Sequence, residues 1–213
     1  HAQKQKVVCY TAYNHRFEPS IKKMKNLIKC NKLGKIYNCR IFYGNGTSLL
    51  VKKSKWRDKG LGVLSDIGSH LLDICLYWFG EKINLLKMVE LNTFENKAPD
   101  QAIITLEINK IKIELEMTLC MWKNSFTCDV LASRGSAHLN SLCKWSTSNF
   151  CFRKRKFPSG RPYEKIVHFK KGDPTWKAEN LFFKNLIKNK TRTNLKKDLI
   201  LNNHFLQLNK SIP

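Results

Sequence analysis

At Gly80 the spacing of apolar residues changes from the 3.6-residue repeat of a helix to the two-residue repeat of a strand, and it keeps the new period as far as Phe169. That switch commits the middle of the chain to a sheet. Segments 85–93, 101–108, 111–121, 126–133, 137–144, 150–156 and 165–169 read as consecutive strands. In the third, Ile111, Ile113, Leu115, Met117 and Leu119 share one face, while Lys112, Glu114, Glu116 and Thr118 share the other. Asn109-Lys110 is short enough for a hairpin, and Arg134-Gly135-Ser136, Ser146-Thr147-Ser148 and Pro158-Ser159-Gly160 punctuate the later strands. Strands joined this closely pair antiparallel.

Upstream, 6–13 is a short apolar, β-branched run that reads as a buried strand. Pro19 suits the first turn of a helix with apolar positions Ile21, Met24, Leu27 and Ile28, and Gly34 stands where a left-handed cap would end it. A strand over 35–43 follows, then a polar loop running to Gly62. Ser65 is a reasonable N-cap for a helix that ends near Gly80 and buries the stripe Ile67, Leu71, Ile74 and Trp78. Past Asp173-Pro174, two amphipathic helices at about 176–189 and 195–210 close the chain. The pattern predicts an α+β fold: a large open, predominantly antiparallel sheet with helices packed on one face. The other face should either mediate self-association or carry a polar surface.

Thirty-nine Lys and Arg against 16 Asp and Glu give a net charge of +23, the footprint of a nucleic-acid binder. The basic residues are spread in short groups along an Asn- and Ile-rich chain, which is a compositional lean rather than a built patch, so no specific nucleic-acid partner is expected. The apolar run 67–79 falls short of a membrane span of about 20 residues. Eight scattered cysteines, with no Cys-x-x-Cys pair, read as reduced core thiols without a metal, which points to the cytoplasm. His1 in place of Met, with no apolar leader behind it, reads as the start of a fragment.

Chemistry concentrates in three places. On a regular helix Asp66, His70 and Asp73 stack on one stripe, where the first carboxylate could orient the imidazole as a general acid/base. The same residues suit a carboxylate favoured by the helix dipole and a half-buried histidine. Tyr13-Asn14-His15-Arg16 follows the first run at a strand's carboxyl end, where open sheets bind ligands, although Asn14 could equally close a turn and Arg16 lie on the surface. Trp56-Arg57 offers a stacking face and a bidentate donor, or else an aromatic plug beside a surface charge. No Gly-x-Gly-x-x-Gly, P-loop or nucleophile elbow is present.

Taken in order, Tyr13-Asn14-His15-Arg16-Phe17, Leu33-Gly34-Lys35-Ile36, Trp56-Arg57, the stretch from Gly60 through Asp66 and His70 to Asp73, and Asp173-Pro174-Thr175-Trp176 resemble the carboxyl-terminal part of the glucose-fructose oxidoreductase and inositol dehydrogenase (Gfo/Idh/MocA) family. The resemblance implies an oxidoreductase that uses NAD or NADP on a sugar or polyol. It implies His70 as acid/base, Asp66 as substrate ligand or support, Asn14, Trp56 and Arg57 near the cofactor, and Arg16 near the substrate. The family's glycine-rich turn and Glu-Lys-Pro segment have no counterpart in the sequence. On this reading 1–13 is the last strand of a missing dinucleotide-binding domain. Residues 14–213 form the substrate-binding and oligomerising domain, inactive alone, and the alternative is a non-catalytic binding module on the same fold.

Overall fold

A computed structural model describes residues 1–2, 4–191 and 195–209. Its frame is an eight-stranded sheet in the order β2-β3-β4-β1-β5-β6-β7-β8. The strands are β1 (Ile36–Gly44), β2 (Ile83–Asn92), β3 (Gln101–Ile108), β4 (Ile111–Thr118), β5 (Ser125–Ala132), β6 (Gly135–Asn140), β7 (Ser148–Lys154) and β8 (Tyr163–Phe169). β1 pairs parallel with β4 and antiparallel with β5, and every other ladder is antiparallel. The fold is α+β with an open, mostly antiparallel sheet, as the alternation predicts. The β3–β4 turn forms at Asn109 and Lys110, both at positive φ (51° and 65°) as a primed two-residue hairpin requires. Asn109 also donates through Nδ2 to the Phe79 carbonyl at 2.7 Å, capping a helix end with the hairpin tip.

Helices cover one face. α1 (Pro19–Lys29) and α3 (Ser69–Phe79) lie against the inward-facing residues of the central strands, with a short α2 (Ser48–Lys52) inside the loop expected to be irregular. Ile67, Leu71, Ile74 and Trp78 are all buried, opposite Ile104, Ile113, Leu115 and Met117. Each such aliphatic side chain contributes about 1.5–3 kcal/mol of burial. Trp78 satisfies its indole N–H on the Ile21 carbonyl at 3.1 Å, which ties α3 to α1. α5 (Lys196–Asn209) packs beside β2 and α3, α4 (Thr175–Lys188) packs on the Asn14–Phe17 turn, and the expected last residue of the final helix, Lys210, lies outside the described residues.

The outer face mixes polar and charged side chains with the exposed Leu131 and Ile166. Register places Thr105, Glu114, Arg40, Asp129, His138 and Cys151 in one row across six strands, within which Arg40 and Glu114 form a charge pair (3.7 Å) and His138 Nδ1 hydrogen-bonds Asp129 Oδ1 (2.5 Å). Residues 6–13, expected as a strand, find no ladder partner: Lys6 ends a turn and 7–13 run as irregular chain. A strand needs a neighbour to satisfy its backbone, and the described chain offers none at that place. Four cysteines (Cys39, Cys75, Cys128, Cys143) are core residues, whereas Cys9 and Cys30 are exposed.

Candidate active site

A cleft of about 420 Å³ opens beyond the carboxyl ends of β1 and β4, walled by Trp56, Arg57, Ser65, Asp66, Ser69 and His70. Its floor is a π-helical segment, Leu64–Gly68, that runs directly into α3. Gly62 makes that entry possible. Its φ is +49°, and a Cβ there would stand 2.1 Å from the Pro99 carbonyl oxygen, which accepts the Val63 N–H at 2.7 Å. Gly60 also has positive φ (+62°), but a Cβ there would meet nothing within 4 Å. Gly60→Ala should therefore cost only left-handed strain, about 1 kcal/mol. Gly62→Ala adds displacement of the Pro99 backbone and should cost about 3 kcal/mol in total, as read by urea unfolding of the two variants side by side.

Asp66 and His70 both line the cleft, but the carboxylate does not orient the imidazole. Asp66 pairs with Arg57, Nη2 to Oδ2 at 2.5 Å, and makes no hydrogen bond to His70. Asp73 is buried and held by both nitrogens of the Arg16 fork, with Nε to Oδ2 at 2.7 Å. Ser65 does not cap through its side chain. Its hydroxyl donates to the Gly62 carbonyl at 2.9 Å, and Ser69 donates to the Asp66 carbonyl at 2.9 Å. Both hydroxyls keep acceptor lone pairs beside the cleft.

His70 lines the cleft, and its Nε2 is solvent-accessible with no hydrogen-bond partner among the described residues. Its Nδ1 faces Nδ1 of His15 at 3.0 Å, from the 3-10 turn Asn14–Phe17. His15 Nε2 in turn meets Lys144 Nζ at 3.2 Å, and Lys144 donates to the Tyr43 hydroxyl at 2.9 Å. Glu18 fixes the turn that carries the lysine by accepting the Cys143 N–H at 2.9 Å. Burial, the lysine charge and, against them, the Asp66 carboxylate push the His70 imidazole down to about 4. Burial, His70 and Lys144 hold His15 well below the ordinary histidine range. Burial also lowers the Lys144 ammonium, opposed by Asp173, Glu18 and Asp66. Both imidazoles are neutral at pH 7.

Of the residues singled out in the sequence, His70, Asp66, Trp56 and Arg57 share the cleft, with Trp56 79% exposed at its rim. Asn14 is not on its wall: the side chain is buried and donates to Thr175 Oγ1 at 3.1 Å. Arg16 faces a different groove, beside Tyr13 and α5. His15 was visible only as one residue of a polar run, and nothing in the sequence pointed to Lys144.

Residues 21–138, which carry β1 to β5, most of β6, α3 and the cleft floor, match the GFO/IDH/MocA C-terminal domain. The chain belongs to the GFO/IDH/MocA family. It is 25% identical over 169 residues to glucose-6-phosphate 3-dehydrogenase of Bacillus subtilis, covering 76% of this chain and 46% of that protein. Levoglucosan dehydrogenase in complex with NADH has the same fold, with TM-score 0.74 and 18% identity over 92% of this chain and 62% of that one. A dehydrogenase of Clostridium difficile does too, with TM-score 0.74 and 14% identity over 99% and 64%. This GFO/IDH/MocA chain thus spans about half the length of the curated relative it matches. His15 and Lys144 both lie outside the stretch matched to the family domain. Among the described residues no group of three His, Cys, Asp or Glu is placed to hold a metal ion, and no helix is long and apolar enough to cross a membrane.

Proposed function

We propose that residues 14–213 are the substrate-binding and proton-handling part of an NAD(P)-dependent dehydrogenase acting on a sugar or polyol. Residues 1–13 would lead in from a dinucleotide-binding half. The observation that carries this reading is the cleft itself: His70 Nε2 opens into it between a bidentate-capable arginine–carboxylate pair and two serine hydroxyls. A substrate bearing several hydroxyls could donate to Asp66 and to the serines, accept from Arg57, and exchange one hydroxyl proton with His70.

The cofactor fits here only in part. The exposed indole face of Trp56 and the neighbouring Arg57 would hold the nicotinamide end, while no glycine-rich turn in the sequence could cradle a pyrophosphate. When bound, the nicotinamide supplies the hydride acceptor or donor. His70 supplies the proton, Arg57 orients Asp66, and the wall of α3 keeps bulk water from one side of the cleft. Self-association through the outer face of the sheet, where Leu131 and Ile166 are exposed, belongs to the same reading.

Titrating the chain with cyclic sugars and linear polyols, followed by backbone amide and indole resonances, tests this directly. Shifts should concentrate at Trp56, Ser65, Ser69 and His70, with affinity on the order of millimolar for so small and open a site. His70→Ala should weaken it. No response at the cleft to any hydroxylated ligand would leave a non-catalytic module as the better account.

A further inference from the structure

We propose that Lys144 and His15 form, behind His70, a proton relay with two states one proton apart, so that the charge created by chemistry in the cleft is stored on a half-buried lysine. The inference rests on the cleft being a site of hydroxyl oxidation or carbonyl reduction. It is carried by a continuous line of contacts: Tyr43 hydroxyl to Lys144 Nζ at 2.9 Å, Lys144 Nζ to His15 Nε2 at 3.2 Å, and His15 Nδ1 to His70 Nδ1 at 3.0 Å.

The donor rules leave the charged state one arrangement and open a second one to the neutral state. An ammonium has no lone pair, so with Lys144 charged, His15 Nε2 must accept. The neutral His15 then carries its proton on Nδ1 and donates to His70 Nδ1. His70 in turn keeps its proton on Nε2, pointing into the cleft. This state offers an acid. When Lys144 is a neutral amine it still donates to Tyr43, and its lone pair can accept from His15 Nε2–H. Both rings then exchange tautomer, and His70 Nε2 presents a lone pair. This state offers a base.

In oxidation the substrate O–H bond breaks and an N–H bond forms at His70 Nε2. The His70 Nδ1 proton passes to His15 Nδ1, and the His15 Nε2 proton passes to the lysine amine. The carbinol C–H bond leaves as hydride to the nicotinamide dinucleotide, which is reduced as the carbon becomes a carbonyl. Reduction runs the same transfers backwards. Neither imidazole becomes a cation at any stage, which suits two rings whose burial disfavours charge. The lysine can hold the proton because the Tyr43 and Trp145 rings lie 5.3 and 4.7 Å from Nζ, and because Asp173, Glu18 and Asp66 favour its charge. Tyr13, edge-on to His70 with centroids 6.0 Å apart, has its own hydroxyl pushed up to about 12 and stays neutral beside it. Tyr43 is likewise held neutral by burial.

Ligand-free chain labelled with 15N at histidine and lysine provides the test. Across the titration of Lys144 Nζ, four ring nitrogens should move together with its midpoint. His15 Nδ1 and His70 Nε2 should change from the N–H to the lone-pair type, and His15 Nε2 and His70 Nδ1 the other way. Lys144→Arg, a permanent cation, should hold both rings in the low-pH pattern throughout. Lys144→Met should abolish the transition and keeps the test open if the arginine does not fit. Rings that stay fixed while Lys144 loses its proton, or that still switch together in Lys144→Met, overturn the relay. Because no substrate is present, a switching pair of rings in a cleft that takes no polyol would support the relay and count only against the dehydrogenase reading.

Discussion

Arg16→Met should destabilise the fold by about 3–5 kcal/mol, the range for removing one partner of a buried ion pair, because it leaves the Asp73 carboxylate in α3 without a counter-charge. Asp73 is 1% exposed, and both its oxygens are taken by the guanidinium. Burial already raises the Asp73 carboxyl above its ordinary value, and Arg16 opposes that rise. A folded-state value above the unfolded one means that the native state binds more protons in the window between them, so stability falls as pH rises through that window. Without the guanidinium the window extends further upward. The deficit of Arg16→Met against the parent should therefore shrink on acidification toward the carboxyl range and be largest near neutrality. The double variant Arg16→Met, Asp73→Leu should recover most of the loss, since the buried charge is then gone from both sides. Equilibrium urea unfolding at several pH values checks all three statements. A loss in Arg16→Met that is the same at every pH would mean that packing of the arginine stem, not the charge of Asp73, is what α3 needs.

The sheet was legible because period-two alternation is a local signal. Gln101–Ile108 and the start of β4 at Ile111 fall where the sequence placed them, and the Asn109-Lys110 hairpin follows from two residues. The stripe Ile67, Leu71, Ile74 and Trp78 was equally local, and all four side chains are core. The π-helical turn was not legible. It depends on Gly62 pressing against Pro99, 37 residues further on and across a strand, and no periodicity within Leu64–Gly68 announces it. The partner of Asp66 was not legible either: its carboxylate pairs with Arg57 rather than with His70. Lys144 was the least accessible of all. It reaches His15 across 129 positions of chain, and in sequence it is one lysine among many in a basic protein. The run at 6–13 has the composition of a strand, but pairing requires a neighbour that the described chain does not provide.

With a dinucleotide-binding half supplied, His70→Ala should lower kcat by a factor on the order of 100 or more, the range for loss of a positioned general acid/base, and leave cofactor affinity nearly unchanged. The expectation follows from placement: Nε2 is the ring nitrogen that faces the cleft, and Nδ1 is committed to His15. The pH dependence distinguishes this site from an ordinary solvent-exposed histidine. An unperturbed imidazole would give a limb near 6.5, whereas His70 is pushed down to about 4 and stays neutral well below that point. Oxidation needs the lone pair on Nε2, which the relay provides when Lys144 is neutral, so kcat/KM for oxidation should rise on the alkaline side along with the lysine. Reduction needs Nε2–H and should fall over the same range. Lys144→Arg should remove the alkaline rise in oxidation while retaining reduction, a split that loss of packing alone would not produce. Steady-state profiles in both directions, on the parent and the two variants, measure it. An oxidation limb at the usual histidine position in the parent would show that His70 titrates by itself, without the two residues behind it.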